Sequence, residues 1–278
     1  MKNFKIGLQL YGVRNSMADD FEGTLKAVAE MGYEYVEFAG YYGKTSAEIK
    51  GILDKYGLKC VSVHQALDFF DENPNEKCEF LKGFGVKYSV IPWYEKEKLA
   101  GTPEWEKSLA RFKRAADIFA QNGMILGYHN HEFEFEKYNG KYLHDYIFEA
   151  IDEEKIFPEL DTCWVHYAGL DPVEKIKQFS GRVDIVHLKD FTCQKLGGGP
   201  AYELIDNEGK SEKKGTREEN GFKFCPLGSG RQNFAKILAA CEECGTEILI
   251  VEQDQAYEVG ELEAARISRN YLKETFGI

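Results

Sequence analysis

Eight short runs rich in β-branched and aromatic residues recur along this chain. Between them lie longer segments with apolar residues at helical spacing. The runs are residues 4–11, 35–40, 59–66, 88–93, 125–131, 157–164, 183–190 and 247–254. The helical segments include 20–31, 46–56, 103–122, 172–179, 234–243 and a last one over 261–275. Parallel strands cannot be joined by tight turns, so this alternation predicts a parallel sheet whose strands are linked by crossover helices. The punctuation agrees: Gly32, Gly57, Gly85, Gly123 and Gly245 each stand after a helix and before a strand, where left-handed backbone is wanted. Pro103 and Pro172 occupy good helix-start positions. Eight such units in 278 residues predict a single-domain α/β fold, the closed (β/α)8 barrel. An open doubly wound sheet would place a Gly-rich phosphate loop after its first strand. That position reads Leu10-Tyr11-Gly12-Val13-Arg14, which is no such loop.

Charge removes several partners. With 35 Lys and Arg against 47 Asp and Glu, the net charge is −12, which works against nucleic-acid binding. No apolar run approaches the roughly 18 residues of a membrane span. Gln9 interrupts the only signal-like stretch near the start, so the expectation is a cytoplasmic protein without a membrane partner. Seven cysteines at irregular spacing read as reduced thiols, with Cys241 and Cys244 one helical turn apart rather than a zinc pair.

One region breaks the rhythm. Residues 191–227 follow the seventh strand with no clean period, and a loop of this length reads as a lid, a subunit contact or a solvated insertion. An assembly of identical copies is left open. Gly228-Ser229-Gly230-Arg231 precedes a helix and reads either as a tight turn or as a phosphate cradle.

The functional signal is the placement of ionisable residues. His64, His129, His131, Asp161, His187, Lys189, Glu252 and Asp254 all fall near the C-terminal ends of expected strands, the face where barrel enzymes hold their active sites. Alternate strand residues point inward. His129 and His131 share parity, as do His187 and Lys189, and Glu252 and Asp254. Two imidazoles and two carboxylates from four successive strands suit one divalent metal, with His129, Asp161, His187 and Glu252 as ligands.

These stretches resemble the xylose isomerase-like TIM barrel superfamily of sugar isomerases, epimerases and related dehydratases. The resemblance is carried by Gly7-Leu8-Gln9-Leu10-Tyr11-Gly12-Val13-Arg14, Gly127-Tyr128-His129-Asn130-His131, Leu160-Asp161-Thr162, Val186-His187-Leu188-Lys189-Asp190 and Val251-Glu252-Gln253-Asp254. It spans the whole chain and implies one divalent ion held from strands five to eight. His129 stands where many members have Glu, and some inosose-dehydratase-like members resemble this chain in being His-rich there. That change removes a negative charge and favours Mn, Co, Fe or Zn over Mg.

The resemblance implies metal-dependent isomerisation or epimerisation of a sugar or keto-sugar by proton abstraction beside a carbonyl. The alternative is a lyase or dehydratase of a keto-inositol or 3-keto-glycoside, which shares the first step. His131 is the expected base, with Glu252 second. Lys189 would stabilise an oxyanion, or else pair with Asp190 or Glu252. Gln9 and Glu37 are candidate hydroxyl binders, and His64 is a hydroxyl-binding or acid/base candidate, or else a satisfied core residue. Tyr11, Trp93 and Trp164 either stack on the sugar or pack in the core. The expected partner is a small carbohydrate. An endonuclease of the same superfamily would need more metal ligands and a basic groove, and a silent sugar-binding barrel would hold no metal.

Overall fold

A computed structural model describes residues 4–197, 217 and 219–278. Eight parallel strands close into a barrel: β1 Lys5–Gln9, β2 Tyr35–Phe38, β3 Lys59–His64, β4 Tyr88–Ile91, β5 Ile125–His129, β6 Ile156–Asp161, β7 Ile185–Leu188 and β8 Ile248–Val251. Each strand pairs with its neighbours in sequence, and β1 closes the ring by pairing with β8, Gly7 opposite Ile250. A helix follows each strand and packs outside, from Phe21–Glu30 after β1 to Glu261–Phe276 after β8. The boundaries have local causes. Ser46–Tyr56 starts at a capping box between Thr45 and Glu48, and ends at Gly57 with φ 72°. All seven cysteines are free thiols.

The barrel floor explains where the site must lie. Val61, Tyr88, Val90, Phe157, Ile185, Ile248 and Ile250 fill the lower interior, so the barrel is a packed core and not a pore. Gly127 makes room for this packing. A Cβ there would lie 2.8 Å from both Phe157 Cε1 and Val90 Cγ2. Two residues further up each strand the chemistry changes: Ile185 gives way to His187, Ile250 to Glu252, Gly127 to His129 and Phe157 to Glu159. On β3 a one-residue slip against β2, between Val36 and Glu37, re-aims the strand. Val61 therefore sits in the floor, while Ser62 and His64 reach Glu37 above it.

Three expectations change here. The sixth strand ends at Asp161, not at 164, because the Asp161 carboxylate accepts from the amides of Cys163 and Trp164 and starts the helix Thr162–Tyr167. Trp164 is thereby carried off the barrel mouth. The Gly228–Arg231 turn is no phosphate cradle, since the Gly228 and Gly230 amides donate to Asp190 Oδ2 and the Gln232 amide to Oδ1. The structureless reading of 191–227 also fails at its ends: Asp190–Thr192 and Lys223–Cys225 form a two-stranded antiparallel ribbon. Most of the lid or subunit-contact expectation, 198–216 and 218, lies outside the described residues.

Candidate metal centre and active-site cavity

The polar side chains at the barrel top form two tiers. In the lower tier Gln9 Nε2 donates to Glu37 Oε1 at 2.6 Å, and Ser62 Oγ donates to the other Glu37 oxygen. His187 Nε2 lies 2.9 Å from Glu37 Oε1 and 3.2 Å from Glu159 Oε2. Glu159 Oε2 is also 2.6 Å from His64 Nε2 and 3.2 Å from His129 Nδ1. Two fully buried carboxylates thus hold three imidazoles by one ring nitrogen each.

The opposite nitrogens face the upper tier. His187 Nδ1 is 2.9 Å from Glu252 Oε2, and His129 Nε2 is 3.6 Å from Asp161 Oδ2. Lys189 Nζ sits between three carboxylates, 2.9 Å from Asp161, 2.8 Å from Glu252 and 3.0 Å from Asp254. It does not pair with Asp190. Asn130 ties the two strand ends together, its amide donating to the Asp161 carbonyl and accepting from the Asp161 amide. The turn carrying His131 is pinned by Glu134, which accepts from the His131 amide at 2.8 Å and from the Tyr128 hydroxyl at 2.9 Å.

Electrostatics follow from this arrangement. Burial works against a charged His187, but Glu159, Glu37 and Glu252 outweigh it and push its pKa well up. His64 shifts up the same way through Glu37 and Glu159. His129 and His131 are held well below the ordinary imidazole range by burial and by neighbouring cationic groups, so both are neutral. Burial raises Asp161 to about 6, Glu252 adding to the rise and Lys189 opposing it.

Ligand atoms of His129, Asp161, His187 and Glu252 all lie within 4.8 Å of one another, and all four residues are buried. This quartet fits a divalent ion on three counts. It offers two nitrogens and two oxygens. Each of its imidazoles is oriented from behind by a carboxylate, the arrangement that fixes ring and tautomer in metal sites. Across the two tiers five carboxylates, Glu37, Glu159, Asp161, Glu252 and Asp254, meet three cations, Lys189, His64 and His187, leaving two negative charges for a divalent ion to offset. His64, His129, Glu159 and His187 also cluster within the same limit. There Glu159 is already engaged by all three imidazoles.

Above the tiers opens a cavity of about 670 Å3, lined by His64, His129, His131, Lys189, Glu252 and Asp254, with Tyr11 and Trp93 on its wall. Tyr11 and Trp93 are 43% and 51% exposed, as a stacking surface at a rim must be. Gln9 and Glu37 lie beneath the cavity, fully buried and bound to protein groups. Trp164 is 1% exposed and stacks on Phe222 at 5.4 Å, behind Lys189. Gln9 and Glu37 thus lie deeper than strand position alone suggests, and Trp164 takes the core-packing alternative. His166 is off the site, bound to Gln232. Glu159 went unanticipated, although it shares inward parity with Asp161 two residues on.

A buried cluster of this kind at the C-terminal mouth of a (β/α)8 barrel defines a barrel enzyme with a site suited to a metal. The chain belongs to the xylose isomerase-like TIM barrel family, whose model matches residues 25–275. Inosose dehydratase of Clostridium botulinum (strain Alaska E43 / Type E3) is 26% identical over 304 aligned positions, covering 99% of this chain and 98% of its own. A sugar phosphate isomerase/epimerase of Parabacteroides distasonis superposes with a TM-score of 0.76 at 22% identity, covering 97% of this chain and 98% of that one. The IolI protein, solved with a bound zinc atom, gives 0.70 at 17% identity over 97% and 98% of the two chains. Among the described residues no helix is long and apolar enough to cross a membrane.

Proposed function

We propose that this enzyme is a metal-dependent lyase that removes a β-hydroxyl or alkoxyl group from a keto-polyol, a keto-inositol or 3-keto-glycoside being the substrate class. One observation carries the choice of elimination over isomerisation. The cavity wall presents three imidazoles and one ammonium, and its two carboxylates, Glu252 and Asp254, are not free to act as a facing acid–base pair across a sugar. His129 stands on strand five, and Glu252 and Asp254 are both bound by Lys189. The inosose dehydratase relatives support the same reading.

His129, Asp161, His187 and Glu252 would hold the ion, and the bound zinc of the IolI protein supports a transition metal such as Zn or Mn. The ion would polarise the substrate carbonyl and acidify the neighbouring C–H. His131 is neutral and lines the cavity, so it is the base placed to take that proton. Lys189 supports the oxygen on which charge develops. His64, held as an imidazolium by Glu37 and Glu159, returns a proton to the departing oxygen. The C–O bond breaks, the carbon–carbon double bond forms, and water or an alcohol leaves.

The test is incubation of the Mn-loaded protein with inosose, a 3-keto-glucoside and ketohexoses, followed by mass and NMR analysis. An unsaturated product lighter by water or an alcohol supports the proposal. An epimer or aldose of unchanged mass would transfer the enzyme to the isomerases.

A further inference from the structure

A second cavity of about 420 Å3 adjoins the first, and the two share Tyr11 and Asp254 in their walls. Its lining differs in kind. Arg14, Arg217 and Lys223 border it, together with Phe222, Phe224 and Tyr257. Among the described residues the only carboxylate in its lining is Asp254, which Lys189 already holds at 3.0 Å. Three cations converge here in a chain whose net charge is −12.

Among the described residues little charge meets them. Arg14 lies 4.2 Å over the Tyr11 ring, and its Nη1 donates to the carbonyls of Tyr11 and Asp254, which offset no charge. Arg217 lies 5.0 Å over the Trp164 ring, with Glu132 3.7 Å from Nε. Burial raises the Glu132 pKa, which weakens it as a counter-ion. Lys223 pairs with no carboxylate among the described residues. Aromatic faces hold the two guanidinium planes, as in sites that recognise planar or tetrahedral anions.

We infer that this cavity is a distal subsite for an anionic group, a phosphate or a carboxylate, carried by the substrate on the part remote from the reacting carbonyl. A molecule passing over Tyr11 would place its keto-polyol end on the metal quartet and its charged end among Arg14, Arg217 and Lys223. The inference rests on the proposed keto-polyol chemistry for the orientation of the substrate, and on the second cavity alone for the charge.

The test is binding, measured by titration calorimetry on the Mn-loaded protein with fructose, fructose 6-phosphate and glucuronate. One charge-assisted contact is about tenfold in affinity, so at least one anion is expected to bind about tenfold tighter than fructose at low salt. Which anion wins distinguishes phosphate from carboxylate. Substituting Arg217→Gln together with Lys223→Gln should bring the preferred anion to within about twofold of fructose, since both charges lie outside the barrel core. Arg14 stays intact in that variant because it ties Tyr11 to Asp254. Equal binding of all three probes, or a preference that survives in the folded double variant, overturns the subsite. Elimination of inosose without anion preference would sink the subsite and leave the chemistry standing; anion preference without elimination would do the reverse.

Discussion

The two polar tiers use the same side chains, Glu and His, in opposite ways. In the lower one every carboxylate is spent on protein groups: Glu37 on Gln9, Ser62, His64 and His187, and Glu159 on three imidazoles. In the upper one Asp161, Glu252 and Asp254 all reach the Lys189 ammonium, with His187 also against Glu252 and His129 near Asp161, and the cavity opens over them. On the sixth and seventh strands one step along the inward face, from Glu159 to Asp161 and from His187 to Lys189, separates scaffolding from chemistry. Charge balance, more than residue type, tells the two apart, because a buried carboxylate without a partner is costly.

The sharpest way to break the comparison is to remove one oxygen ligand from the upper tier. Asp161→Asn keeps the size and the helix cap, and deletes the charge. Metal assistance supplies several kcal/mol of charge stabilisation, so turnover should fall about a thousandfold. Metal content after dialysis should fall with it. Retained metal and retained rate would show that the quartet is a hydrogen-bonded cluster only.

Much of this was legible beforehand, and the gaps have one cause. Strand parity shows which residues point inward, so His129, Asp161, His187 and Glu252 could be grouped from sequence. Parity does not show depth. Gln9 and Glu37 were therefore expected on the cavity wall, yet they lie under it. Glu159 was overlooked because Asp161, on the same face of the strand, already filled the expected ligand position. Trp164 was misplaced because a capping interaction of Asp161 ends the strand three residues early. The second cavity needed the fold, since Arg14 and Arg217 are 203 residues apart in the chain.

Histidine 144 sharpens the comparison from outside both tiers. It is fully buried like His187, but it packs against Phe135, Phe148 and Phe179 instead of a group of carboxylates. Burial pushes its pKa down to about 4, with Lys175 adding to the fall and Asp145 opposing it. The unfolded chain, with an imidazole near 6.5, binds the proton first as pH falls. Its contribution to stability is therefore full above pH 6.5 and lost progressively down to about pH 4. The window corresponds to about 3 kcal/mol. Urea unfolding at several pH values should show this slope in the parent and a shallower one in His144→Phe. An unchanged slope would place the proton uptake elsewhere.

Within the lower tier, Glu159→Gln tests scaffolding directly. Outer partners of metal-bound imidazoles are worth about 10–100-fold in metal affinity. The expected result is a dissociation constant weakened by that factor for Mn, with kcat at saturating metal reduced far less than in Asp161→Asn. Equal damage to kcat in the two variants would erase the distinction between tiers.

The smallest effect belongs to the rim. Trp93 is half exposed on the wall of the main cavity, and it is not among the partners of either tier. If its indole serves as a face for the apolar side of a polyol ring, its loss costs binding and spares the reacting groups. An aromatic contact of this kind is worth about 1 kcal/mol, so Trp93→Ala should raise KM about fivefold. Neither kcat nor metal affinity should move, because among the described residues no hydrogen bond or ring contact joins Trp93 to a ligand, the base or an oriented imidazole. Trp93→Phe should recover most of the KM. A fall in kcat with KM unchanged would instead give the rim a part in closing the cavity during turnover, and the boundary between binding and chemistry would have to be drawn higher than the upper tier.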